Sequence, residues 1–261
     1  MEASHILVER GDAGLATVTL NRPDKRNAIT LEMWRRLRGI FGELGADATV
    51  RVIALRGAGG HFSAGADIKE FDTVRDTAAA GEAYERDVDG ATLSIMTCPK
   101  PVVAVLEGFC LGGGLALAMG CDFRLAQAGV QFSVPAARIG TIYNLLDCQN
   151  LVALVGMVQA KRMLFNALAF GAKEAERMGL VDQVVDGDMA PALADFTAEM
   201  RENAPLAAAG HKLMLNAVAH GQVAERQQEI VQAFRTVMDS DDYREGTRAF
   251  AEKRPPRFVG R

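Results

Sequence analysis

The chain has 261 residues, 49% hydrophobic and 24% charged, and its 29 basic against 33 acidic side chains leave a formal charge of −4. That length gives one large domain or two small ones, with a core that needs no disulfide or metal to hold it. The acidic balance gives no electrostatic reason to expect nucleic acid, which calls for a basic face, and Cys98, Cys110, Cys121 and Cys148 show no paired spacing, which fits free thiols in a reducing compartment.

The opening Met1-Glu-Ala-Ser-His lacks the basic and apolar regions of a signal peptide. The longest charge-free stretch, around Gly108–Cys121, falls short of the ~20 residues that span a bilayer. A cytoplasmic protein without a membrane segment is expected.

In chain order, Ile6–Val8, Leu15–Leu20, Val52–Leu55, Val102–Leu106, Phe123–Ala126 and Val130–Phe132 read as strands. After Thr30, a good N-cap, Leu31, Trp34, Leu37, Phe41 and Leu44 repeat with helical period. Strands alternating with helices predict an α/β fold with buried sheets. Asn144–Ala153, Gln159–Asn166 and Lys173–Met178 read as helices, the last stopped by Gly179. From Met189 to Lys253 the pattern is helical, broken at Ala204-Pro205, His220-Gly221 and Asp239–Asp242. The expected division is an α/β core over 1–195 and a helical region over 196–261.

Several familiar sites are missing from the sequence. No G-x-G-x-x-G follows a strand, and no G-x-x-x-x-G-K-[ST] occurs. The glycine before Ser63 sits one position too early for a nucleophile elbow. His5, His61, His211 and His220 lack metal-ligand spacing, so no metal site is expected.

Two glycine-flanked segments carry more information. Gly57-Ala58-Gly59-Gly60-His61-Phe62-Ser63-Ala64-Gly65-Ala66-Asp67-Ile68 follows one strand and opens toward a helix. Glu107-Gly108-Phe109-Cys110-Leu111 leads from another strand to Gly112-Gly113-Gly114 and a small-residue helix. Helix starts present backbone N–H groups with no internal partner, and glycine lets a ligand approach them closely. Either segment alone reads first as a simple turn. Together they offer two amides to one carbonyl oxygen, the arrangement of an oxyanion hole.

The sequence resembles the enoyl-CoA hydratase/isomerase (crotonase) family over nearly its whole length. The resemblance is carried by Leu20-Asn21-Arg22-Pro23-Asp24-Lys25-Arg26-Asn27-Ala28, Phe62-Ser63-Ala64-Gly65-Ala66-Asp67-Ile68, Pro99-Lys100-Pro101-Val102-Val103-Ala104, Gly112-Gly113-Gly114 with Cys121-Asp122, Ala172-Lys173-Glu174-Ala175, Gly179-Leu180-Val181, Glu245-Gly246 and Phe250-Ala251-Glu252-Lys253-Arg254. It implies a crotonase-like spiral of β-β-α units with a helical C-terminal trimerisation region, assembled as a homotrimer or homohexamer. It also implies an acyl-CoA thioester substrate whose carbonyl sits between the amides of Ala66 and Gly113. No metal or redox cofactor is implied, coenzyme A entering as part of the substrate. By the same resemblance Ala64, Asp67 and Ile68 line the CoA loop, and Lys25 and Arg26 lie near the nucleotide. Ala28, Gly112 and Asn144 count among the binding positions, and Phe250 with Lys253 reaches a neighbouring subunit's nucleotide.

The chain departs from the family's hydratases where their two glutamates stand, carrying Ala116 and Ala136 instead. Alanine cannot move a proton, and positioned acid–base groups contribute about 10²–10⁴ each. Tyr143-Asn144-Leu145 partly resembles the methylmalonyl-CoA decarboxylase branch, where a tyrosine faces the substrate carboxylate. Tyr143 is therefore expected to orient a leaving carboxylate or protonate an enolate. Decarboxylation or double-bond isomerisation is expected ahead of hydration. The alternatives are a CoA-ester binding protein without catalysis and a hydratase with other acid–base residues. Asp147 is open between a base and a helix cap, Glu82 and Glu85 read as a solvated face, and Glu107 reads as a structural hydrogen-bonding group.

Overall fold

The computed structural model describes residues 4–261. Its elements are β1 (Ile6–Arg10), β2 (Leu15–Leu20), α1 (Leu31–Ala46), β3 (Val52–Gly57), α2 (Phe71–Val74), α3 (Ala78–Thr97), β4 (Val102–Leu106), β5 (Phe109–Leu111), α4 (Gly113–Gly120), β6 (Phe123–Gln127), β7 (Gln131–Ser133) and α5 (Leu145–Asn166). They continue with β8 (Phe170–Gly171), α6 (Ala172–Arg177), β9 (Gln183–Val185), α7 (Met189–Glu202), α8 (Pro205–Ala219), α9 (Gln227–Met238) and α10 (Asp241–Glu252).

One sheet has the order β1-β2-β3-β4-β6-β9 and a second the order β5-β7-β8. In the larger sheet only β1 runs antiparallel to its neighbour; every later pairing is parallel. Parallel strands are covered on both faces, and the sequence alternation follows suit. Ile53, Leu55, Val102, Ala104 and Leu106 join Trp34, Leu37 and Ile95 in the main core. Val52, Ala54, Val103 and Val105 point the other way, onto Met189 with Leu193, Phe196 and Met200 of α7. A boundary at residue 195 thus falls inside α7, whose apolar side belongs to the sheet: the helical character of 189–202 separates it from the core in sequence, but its burial does not.

Thr30 caps α1 as its position predicts, its hydroxyl accepting from the Met33 amide at 3.2 Å. Two anchors hold the C-terminal helices and the sheet end. Asp122 accepts from the Val102 amide and from Lys212 Nζ, both at 2.7 Å, tying α8 to the sheet. Arg124, almost fully buried, pairs with Asp182 at 3.1 Å. Glu107 takes Arg56 as partner at 3.2 Å, a structural role. No helix among the described residues is long and apolar enough to cross a membrane.

Candidate active site

The site follows from adjacency of β3 and β4. These neighbours are parallel, so the chain leaves both at the same sheet edge, where ligands of open parallel sheets bind. The two exit segments are then laced together. Ser63 donates its amide to the Phe109 carbonyl at 2.8 Å and accepts from the Leu111 amide at 3.0 Å. On its other side the first segment pairs with Ile29, whose amide donates to Gly65 O and whose carbonyl accepts from the Asp67 amide, both at 2.8 Å. Buried Asn27 braces both ends: its side chain donates to the carbonyls of Ala58 at 2.8 Å and His61 at 2.6 Å. The Ser63 hydroxyl donates to Asn27 O at 2.8 Å and is no nucleophile in wait.

This lacing directs one amide, and the start of α4 presents a second. Pairing with Ile29 consumes the polar groups flanking Ala66, so the Ala66 N–H points to the opposite side of the strand. That position is an extended bridge rather than the helix start expected from sequence; the first helical turn begins only at Ile68. The Gly113 N–H belongs to the first turn of α4 and has no intrahelical acceptor. A Cβ built on Gly113 would stand 3.3 Å from Ala66 N and 3.1 Å from Trp34 Cζ2. One on Gly65, at φ +100°, would stand 2.9 Å from the Leu111 carbonyl. Only glycine permits so close an approach of the two backbones.

Ala66 and Gly113 line one cavity of about 120 Å³, together with Ala64, Ile68, Gly112, Ala136, Tyr143, Asn144 and Asp147. Ala116 is fully buried in α4 and Ala136 forms part of the wall, so neither position offers a carboxylate. A larger hollow of about 470 Å³ between α8 and the core holds Lys212, which is already bound by Ile95 O, Lys100 O and Asp122.

Tyr143 is oriented differently from the expectation. Its hydroxyl donates to the Gly112 carbonyl at 2.6 Å, and burial raises its pKa well above the usual phenol value. The phenol proton is committed to the backbone, so Tyr143 braces the turn that presents Gly113 instead of facing a substrate carboxylate. Asn144 caps α5, accepting from the Asp147 amide at 2.8 Å, and its Nδ2 lies 3.4 Å from Glu85 Oε2.

The carboxylates come from elsewhere. Asp147 lines the cavity, is 3% exposed, and its Oδ1 has no partner. Burial above all, then the charges of Asp89 and Glu85, push its pKa up to about 7. Glu85 also lines the cavity, contrary to a solvated face; it pairs with Arg75 at 3.1 Å, and burial raises its pKa. Glu82 is exposed as expected. Arg75 stacks over Phe71 at 4.7 Å and donates to Thr141 Oγ1 at 3.3 Å. Tyr84 accepts from Trp34 Nε1 at 2.9 Å, and burial pushes its pKa up to about 12.

The remaining predicted positions surround the cavity or lie apart from it. Lys25, Arg26 and Ala28 occupy the loop beside Ala64, whose amide donates to Arg26 O at 2.9 Å. Arg26 sits over the Phe109 ring at 5.1 Å, and Lys25 is half exposed beside Asp24. Asp67 is held by Arg22 at 2.9 Å; its carboxylate shapes the loop. Phe250 is 88% exposed on α10, and Lys253 caps that helix in the left-handed region; neither lines the cavity.

Fold and site define a crotonase-type protein. Residues 10–261 match the family model for enoyl-CoA hydratase/isomerase. A putative enoyl-CoA hydratase/isomerase family protein from Hyphomonas neptunium superposes with a TM-score of 0.91 at 34% identity, covering 99% of this chain and 98% of that one. An enoyl-CoA hydratase/carnitine racemase from Magnetospirillum magneticum gives 0.92 at 35% identity, covering 100% and 97%. A short-chain enoyl-CoA hydratase of Clostridium acetobutylicum is 32% identical over 97% of both chains. The chain belongs to the enoyl-CoA hydratase/isomerase family, whose enzymes act on acyl-CoA thioesters.

Proposed function

We propose that this protein shifts a double bond in a short acyl-CoA, holding the thioester enolate between the Ala66 and Gly113 amides while Asp147 moves the proton. The observation that carries the reading is one cavity containing both free amides and an unpartnered carboxylate that titrates near neutrality. Two donors aimed at the developing oxyanion supply the largest single rate term. Asp147 takes a proton from the α-carbon, the electron pair moves onto the thioester oxygen, and the proton returns at the γ-carbon. A group whose pKa matches the working pH suits both steps. The cavity, about 120 Å³, is well below the ~300–1,000 Å³ of pockets that engulf whole ligands, which favours a short acyl group with its CoA portion outside, along Lys25, Arg26, Ala28, Ala64, Asp67 and Ile68.

Charge ranks decarboxylation lower. A malonyl carboxylate would meet Glu85 and Asp147, and Arg75, the one cation lining the cavity among the described residues, is already paired. Hydration is the second reading, favoured by Glu85 and Asp147 as two carboxylates on one cavity, in new positions. Incubation with 3-butenoyl-, crotonyl-, malonyl- and methylmalonyl-CoA, with products weighed by mass spectrometry, separates the three. Isomerisation of 3-butenoyl-CoA is expected; turnover of none of them overturns the reading. The same proposal includes no metal or redox cofactor, a homotrimer or homohexamer with Phe250 and Lys253 reaching a neighbour's nucleotide, and a cytoplasmic location.

A further inference from the structure

Helices α3 and α5 are pinned together at two points. At one end Asn144 Nδ2 faces Glu85 Oε2 at 3.4 Å, and at the other Asn150 Nδ2 meets Met96 Sδ at 3.5 Å. Residues 85, 89, 92 and 96 share one face of α3, following the i, i+4, i+7, i+11 pattern. Asp147 lies midway between the α5 pins, one turn from each. Asp89 and Thr92 occupy the stretch of α3 between the pins, as Asp147 does on α5, and the charge of Asp89 is felt at Asp147.

Among the described residues, five buried side-chain polar atoms lack a partner, and three of them fall in this stretch: Asp89 Oδ1, Thr92 Oγ1 and Asp147 Oδ1. Buried polar atoms are nearly always hydrogen-bonded, to protein or to internal water, and an internal water typically takes about three such partners. Asp147 and Thr92 are buried, but Asp89 is only partly so: one oxygen is buried while the residue reaches the surface.

We propose that this seam is a proton path, in which water bridging Asp147, Thr92 and Asp89 connects the acyl cavity to solvent. The path rests on Asp147 being the base proposed above. The proton that Asp147 removes from the α-carbon has two exits. It returns to the γ-carbon of the same molecule, or it passes to the bridging water while that water gives a proton to the Asp89 carboxylate, which releases it to bulk water. The reverse sequence reloads Asp147, so the charge balances over a cycle. The Thr92 hydroxyl both donates and accepts, and holds the water in line. Asp89 and Thr92 are positioning residues, since neither touches the acyl group.

The test uses 3-butenoyl-CoA deuterated at the α-carbon, turned over by the full-length protein in ordinary water. Mass spectrometry of the crotonyl-CoA product reports the deuterium retained. With the path open, the wild type loses label to solvent, and Asp89→Asn and Thr92→Val retain severalfold more. Thr92→Ser restores the wild-type loss, which a purely structural role for Thr92 would not tie to a hydroxyl. Complete retention by the wild type, or the same loss in all variants, overturns the path. A second probe, α-hydrogen exchange of butyryl-CoA in heavy water, separates this result from the isomerase reading. Wild-type exchange without isomerisation, slowed severalfold in the two variants, sinks isomerisation but supports the path. Exchange equal in all three proteins sinks the path alone, and no exchange or turnover with either probe sinks both.

Discussion

A carboxyl group that leaves water keeps its proton longer, and Asp147 shows the effect, raised from 3.8 to about 7 by burial and then by Asp89 and Glu85. As a base Asp147 must be ionised, so kcat/KM should climb with pH through the range below 7 and level off above it; a flat profile from pH 5 to 8 would remove Asp147 from the reaction. Asp147→Asn should cost about 10²–10⁴ in rate. It should also stabilise the fold, with a sign that follows from linkage. Between the unfolded value and about 7 the native state holds a proton the unfolded chain has lost, so stability from this group declines as pH rises through that window. The asparagine does not titrate, so its advantage grows from pH 4 to pH 8 by a few kcal/mol, at about 1.4 kcal/mol per pKa unit, as urea unfolding at the two pH values would show. At the other side of the cavity, Gly113→Ala would press a methyl toward Trp34 and Ala66 N and should cost about 10²–10³ in kcat, the value of one oxyanion donor. The glycine pattern points to those two amides directly, whereas the sequence leaves Asp147 open between a base and a helix cap. Asn144-Leu145-Leu146-Asp147 reads as a helix start, and nothing in its spacing shows that the third residue past the cap turns inward. Glu85 and Asp89 hid in the same way, as an i, i+4 acidic pair that normally faces water.

At the scale of elements, long segments with clear periodicity declared themselves and very short ones did not. Leu15–Leu20 and Val102–Leu106 are strands over the full spans expected. β5, β8 and β9 are two or three residues long, too short for alternation to register, and they exist because neighbouring backbone supplies their hydrogen bonds. The reading of two helices between Asn144 and Asn166 has a physical basis in Gly156, which breaks the run at φ 73°, ψ 164°. That region of backbone space is open to glycine almost alone, and any other residue there costs of order 1–3 kcal/mol. A Cβ on Gly156 would meet nothing within 4 Å, so the cost of Gly156→Ala is conformational and not steric. Its Tm should fall while turnover of 3-butenoyl-CoA at 25 °C stays at the wild-type level. An unchanged Tm would mean that α5 straightens through the break at no cost.

On two helices, large apolar side chains stand in solvent at helical spacing. Val158 and Phe165, seven residues apart on one face of α5, are 77% and 74% exposed, and Leu215 and Val218 on α8 are 68% and 67% exposed. Scattered exposed leucines are ordinary, but repeated apolar positions on a helix face mark a surface made to be covered. Closed rings of identical chains bury such faces without leaving an unsatisfied copy at either end. If the proposed homotrimer or stacked homohexamer is what covers them, sedimentation should give a mass of three or six chains, and Val158→Glu with Phe165→Asp should shift it toward one. The charged pair would put two ionised carboxylates into a desolvated contact with no partner, a cost of several kcal/mol per ion, enough to outweigh most subunit contacts. The separated chain should keep its helical content, because neither side chain takes part in the core. It should also bind acyl-CoA more weakly if Phe250 and Lys253 serve a neighbour's nucleotide, and calorimetry on the separated chain measures that loss. A wild type that sediments as a single chain at micromolar concentration would refute the assembly and leave the cavity of each chain to act alone.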